Sequence, residues 1–165
     1  MSQKSLTKTA ALSLFEFLHM EMVDYVMNDL CKNSKEKAYS VVERMGYNVG
    51  LRIAEKLTKD RTTRFADDLD IIKFICKEFW LEVFRKPVDN LKTNHRGTYV
   101  LNDNRFLFLT RFATSNPDET NNAAKDYVVY ACGVVRGALT VLGIDAFVTA
   151  EINTVPVVLF KIQKK

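Results

Sequence analysis

Few side chains in this sequence could carry chemistry, and their spacing keeps them apart. His19 and His95 are the only histidines, and neither stands near a cysteine at the spacing of a zinc ligand set. Cys31, Cys76 and Cys132 are odd in number, widely separated and set in apolar helical surroundings. That is neither a disulfide framework nor a Cys-x-x-Cys pattern, and they read as buried free thiols of a reducing compartment. The acidic run Asp67, Asp68 and Asp70 offers the oxygen ligands a divalent cation takes. It opens a helical pattern, however, where negative charge complements the positive end of the helix dipole. Arg136 between Gly133 and Gly137 raises the idea of a phosphate cradle. Such a cradle needs glycines in a loop ahead of a helix and a Lys-Ser/Thr ending, whereas all three residues stand mid-helix. There is no Gly-x-Ser-x-Gly elbow, His-Glu-x-x-His pair or P-loop. The expectation is a protein without catalytic residues, metal or cofactor.

Composition narrows the class. The chain has 165 residues, 47% of them hydrophobic, with six glycines and three prolines. That is enough for one globular domain, expected over 1–165 with residues 1–9 flexible. A net charge of +4, spread along the chain, leaves no electrostatic footprint for nucleic acid. The stretch "HRGTYVL", 95–101, echoes the Arg-Gly-aromatic strand of an RNA recognition motif. It has one aromatic, Tyr99, and follows three helices, so no nucleic-acid partner is expected. Lys161, Lys164 and Lys165 with Arg85 and Lys86 would give a modest, salt-sensitive peripheral attraction to an anionic membrane. The apolar stretch 127–144 carries Arg136 near its middle, which costs about 2.5–3.5 kcal/mol on membrane insertion. It reads as a core helix.

The elements follow from periodicity. A first helix over 5–30 has two apolar sectors, far wider than the stripe of about 100° that one core contact needs. Leu14, Leu18, Met22 and Tyr25 fill one; Leu12, Val23, Val26, Met27 and Leu30 fill the other, with Glu16 and His19 among them. Two sectors call for two packing partners. A second helix over 35–57 carries Ala38, Val41, Val42 and Met45, then Gly46 and Gly50. A third over 65–84 repeats Phe65, Leu69, Ile72, Cys76, Phe79, Trp80 and Val83, and Pro87 closes it. "GTYVLND" and "RFLFLTRF" read as a hairpin turning at Asp103-Asn104. Asn116 caps a fourth helix with Pro117, Asp118 and Glu119 in its first turn, and Gly143 ends it. "DAFVTAEI" and "PVVLFKI" complete the strands. The order ααα-ββ-α-ββ predicts an α+β fold, helices packed on a four-stranded antiparallel sheet. Each mid-helix glycine weakens its helix by about 1 kcal/mol relative to alanine. Pairs four residues apart, Gly46 with Gly50 and Gly133 with Gly137, clear a spot where another backbone can approach, so close helix packing is expected at all four.

Three stretches carry a family resemblance. "TRFADDLDIIKFICKEFWLEVFRKPVDNLKTNHRGTYVLNDNRF" (63–106), "ERMGYNVGLRIAEKLTKD" and "CGVVRGALTVLGIDAFVTAEI" closely resemble the small subunits of the TRAPP (trafficking protein particle) complex, of the subunit 6 type. The likeness spans 14–162. It implies an α+β fold and a non-catalytic place in a cytoplasmic tether, peripheral at endoplasmic reticulum and Golgi membranes. The family's assembled complex promotes nucleotide exchange on a Rab GTPase, so the Rab is an indirect partner. The direct partners implied are other TRAPP subunits, chiefly the subunit 3 type, held through the first two helices. The helical wheel then selects Leu12, Phe15, Glu16, His19, Val23, Val26 and Met27, with Tyr39 and Val42, as the partner surface, and leaves open which of the two sectors faces the partner. The subunit 3 type carries a lipid-modified cysteine just before its third helix. Counting back from Phe65, Thr62 holds that place here, and a thioester cannot form on it. The alternative reading is a cytosolic binder of an acyl chain or other apolar ligand, because helices over a sheet can enclose a pocket.

Overall fold

The computed structural model describes residues 3–94, 96–112 and 117–165. Helix α1 (Gln3–Tyr25) runs on through a wider π turn, Val26–Leu30, and is followed by α2 (Lys35–Thr58). Helix α3 (Asp68–Phe74) passes through a second π turn, Ile75–Phe79, into α4 (Trp80–Phe84). Strands β1 (Asn90–Thr93) and β2 (Thr98–Asp103), a 3₁₀ turn (Leu107–Leu109), α5 (Pro117–Val141), β3 (Ala146–Thr154) and β4 (Val157–Lys164) complete the chain. The order is the expected one, three helical stretches, two strands, a helix and two strands, and the fold is α+β. The chain divides into two compact units, Met1–Val41 and Val42–Lys165, with the boundary inside α2. Among the described residues no helix is long and apolar enough to cross a membrane.

In the second unit the strands form one antiparallel sheet in the order β1-β2-β4-β3. Phe160 of β4 stands opposite Leu101 of β2 on one side and Ala150 of β3 on the other. Alternation then turns Tyr99, Leu101, Val158, Phe160 and Ile162 inward, where all are buried. Aromatic rings fill the interior against them. Trp80 lies 4.5 Å from Phe84 and 5.1 Å from Phe160, and Phe106 lies 5.0 Å from Phe84 and 5.2 Å from Phe160.

Two boundaries differ from the sequence reading. The segment Arg105 to Phe112 is not a strand; the partner of β2 is the short edge strand β1, with Leu91 opposite Leu101. The cause is Asp103, fully buried at the end of β2. Its Oδ1 accepts the Arg105 backbone N–H (3.0 Å) and the Lys86 ammonium (2.8 Å), while Oδ2 accepts the Trp80 indole N–H (2.8 Å). Asp89, also bound by Lys86, accepts the Asn104 N–H at 2.7 Å. The chain is drawn out of the sheet there, and the 3₁₀ turn buries Phe106, Phe108 and Leu109. Burial alone would lower the Lys86 pKa, but its bonds to Asp103 and Asp89 outweigh that and hold it above the ordinary value. The third helix starts at Asp68, not Phe65. Asp67 caps it, accepting the Asp70 N–H at 2.7 Å, while Asp70 reaches back to the Ala66 N–H at 3.2 Å. At the other end Pro87 follows, and the Val88 N–H bonds at 2.8 Å to the Cys76 carbonyl inside the second π turn.

The expected Asn116 cap of α5 lies outside the described residues. At its far end Gly143 takes a left-handed φ of 93°, and the Ile144 N–H closes on the Leu139 carbonyl at 2.9 Å. Where α5 crosses α2, four glycines bring the two backbones into direct contact. A Cβ on Gly46 or Gly50 would stand 2.1 or 1.9 Å from the carbonyl oxygens of Tyr130 and Val134. One on Gly133 or Gly137 would stand 2.0 or 2.1 Å from those of Glu43 and Tyr47. Beside the crossing Arg136 donates to both carboxylate oxygens of Glu43, from Nη2 at 2.8 Å and from Nε, and its guanidinium lies 4.5 Å over the Tyr47 ring.

Gly133→Ala in a helix interior would ordinarily gain about 1 kcal/mol. Here it is expected to lose about 3 kcal/mol or more through overpacking against backbone that cannot swing aside, read as a lower urea midpoint at unchanged slope. Asp103→Ala strands the Trp80 N–H and the Lys86 charge, and should cost about 3 kcal/mol in the same measurement.

Candidate partner-binding face

The groups first weighed for chemistry do not converge. Cys31, Cys76 and Cys132 are buried and free. Burial pushes the Cys76 thiol up to about 12, and burial with the Glu43 charge does the same for Cys132, so neither is a thiolate at neutral pH. Asp67 and Asp70 are engaged at the start of α3, Asp68 is paired with Lys164, and among the described residues no three His, Cys, Asp or Glu side chains gather around a metal position. His95 lies outside the described residues. Tyr99 is buried on the inward sheet face, where it cannot stack a base. Of the five cations considered for a membrane surface, three are ion-paired: Lys86 with Asp103 and Asp89, Lys164 with Asp68, and Lys165 with Asp145. Thr62 is exposed on the loop between α2 and α3.

What stands out is α1. Leu14, Leu18 and Tyr25 are 71%, 63% and 58% exposed, and Phe17 beside them is also exposed. Their spacing of four and seven residues draws one stripe along the helix. Glu16, His19, Val23 and Val26 are buried. Nine residues, two and a half turns, separate Leu14 from Val23 and likewise Glu16 from Tyr25, so the exposed and buried stripes lie on opposite sides. Of the residues selected on the helical wheel, Glu16, His19, Val23 and Val26, with Val42 on α2, are buried. Leu12, Met27 and Tyr39 are half-buried, and Phe15 is exposed. The exposed apolar residues are those of the other sector, Leu14, Leu18 and Tyr25, while Leu30, grouped with Val23 and Val26 on the wheel, is exposed on the π turn. Hydrophobicity cannot distinguish two sectors of equal greasiness; only the packing does.

His19 reports on that packing. An unfolded histidine titrates near ~6.5, and burial pulls His19 down to about 4. The folded state therefore disfavours the protonated ring. Its stability is intact above pH ~6.5 and falls as pH drops from there towards 4, by about 3 kcal/mol over the full interval. Urea unfolding at pH 7 and pH 4.5 should show this loss in the natural protein, and a clearly smaller one in His19→Leu.

Residues 15–165 match the sequence model of the transport protein particle (TRAPP) component family. Trafficking protein particle complex subunit 6b of Danio rerio is 42% identical over 91% of this chain and 94% of its own length. Human subunit 6B is 43% identical over the same shares, and human subunit 6A 41% identical over 90% and 94%. Among solved structures, subunit 3 of the same complex from Naegleria fowleri, covalently bound to palmitic acid, superposes with a TM-score of 0.68. It covers 91% of this chain and 94% of its own, and at 15% identity that is a likeness of fold. A helical pair closed by glycines, a four-stranded sheet and a family pattern over nearly the whole length meet in one conclusion: the chain belongs to the TRAPP component family, and it resembles the subunit 6 type.

Proposed function

We propose that the protein is a non-catalytic structural subunit of a TRAPP tether that promotes Rab nucleotide exchange in traffic from the endoplasmic reticulum to the Golgi and within the Golgi. It works in the cytoplasm, peripheral to those membranes, and pairs with the subunit 3 type through its first helices. The observation that carries this reading is the exposed stripe Leu14, Phe17, Leu18 and Tyr25. Each such side chain gains about 1.5–3 kcal/mol when fully removed from water, and a contiguous apolar patch on a helix marks a protein interaction site. A partner helix laid along this stripe, within an interface of roughly 800 Å² per side, suffices for a specific complex. The subunit's work is then mechanical: it fixes its neighbour in place, and the exchange chemistry belongs to the assembly.

Leu14→Glu with Leu18→Glu places two charges on the exposed stripe and leaves the buried one untouched. The variant should keep the natural melting temperature and lose co-purification with a subunit 3-type protein. Stoichiometric co-purification of the variant would remove this face from the pairing.

A further inference from the structure

In the second unit α2 carries another exposed stripe, on the side that the glycine contact with α5 leaves outward. Met45 and Val49, one turn apart, are 37% and 39% exposed. Arg44, Asn48 and Arg52, all exposed, run beside them at intervals of four, which sets the two arginines about 12 Å apart along the helix axis. Neither guanidinium has a hydrogen bond or ion pair with another described residue. The carboxylate next in sequence, Glu43, is taken by Arg136 on the α5 side, and Lys56, a turn further on, is bound to Glu82 at 3.1 Å. Among the described residues the stripe thus holds two arginines without an ion-pair partner around an apolar pair, and the next exposed carboxylate, Glu55, comes after Arg52. Guanidinium groups are weakly hydrated and bind carboxylates with two parallel hydrogen bonds, which is why arginine is enriched in interfaces while lysine is depleted.

We propose that this stripe selects the partner: it accepts an amphipathic helix that lays apolar side chains on Met45 and Val49 and brings carboxylates, two turns apart, to Arg44 and Arg52. The inference rests on the subunit reading above and adds the charge pattern the partner must carry. A helix with lysines at those places meets like charge and is rejected. Electrostatic complementarity of this kind acts on encounter and discrimination and is screened by salt.

Calorimetric titration of the full chain with the subunit 3-type protein of the same genome, at about 50, 150 and 500 mM salt, tests it. The natural protein should bind more weakly as salt rises. Arg44→Glu with Arg52→Glu should raise Kd at least about tenfold at the lowest salt and abolish or invert the salt dependence, while its melting temperature stays the same because both side chains are exposed. Arg44→Lys with Arg52→Lys should keep the salt dependence and lose only part of the affinity. If the double glutamate variant binds with the natural Kd and salt dependence, the patch is not selective and the pairing itself stands. If the natural protein does not bind, the pairing fails and the proposal falls with it.

Discussion

The second unit is organised around a place where side chains are missing. Four glycines let α2 and α5 meet backbone to backbone, each helix seating its Cα–H atoms against the other's carbonyl oxygens. Two helices separated by ordinary side chains stand 8–10 Å apart, and a contact without any is both closer and less tolerant. It sets where α5 lies, and α5 in turn covers β3 and the inward face of the sheet. The bidentate Arg136–Glu43 pair beside the crossing fixes how far one helix can slide along the other. The weak helix propensity of glycine is offset by dispersion contacts over the whole crossing.

A second constraint sits at the end of β2. Trp80 is the only tryptophan and fully buried, and its N–H needs an acceptor. Asp103 provides one, and being charged it needs donors of its own, which Lys86 and the Arg105 backbone supply. One buried carboxylate therefore ties α4, the loop behind it, the end of β2 and the departing chain into a single node. Replacing any member leaves another polar group without its bond, so the node behaves as a unit.

Much of this architecture is legible in the sequence. The helical repeat of Ile72, Cys76 and Phe79, the fourfold spacing of the glycines and the Val-rich final strands are local signals, and they lead to the helices and to β3 and β4. What escapes is decided at a distance. "NLKT" is too short and polar to announce β1, which exists because β2 offers it a free edge. "RFLFLTRF" alternates like a strand, yet Asp103 captures the Arg105 N–H and the Pro156 carbonyl takes that of Phe106. On α1 the two apolar sectors are visible while their assignment is not, because Glu16 and His19, polar residues that ordinarily face water, are on the buried side. The lone tryptophan was the available hint that a polar partner such as Asp103 would be buried with it.

The π turn at Ile75–Phe79 has a bearing on how this family's chains can vary in length. A turn of that width accommodates an additional residue without changing the phase of the helix on either side, and its exposed part is Lys77 and Glu78. Removing one of those two lets the turn tighten to ordinary α geometry while α3 and α4 keep their inward sides aligned. The Val88 N–H, which bonds to the Cys76 carbonyl inside that turn, would then have to find a different acceptor.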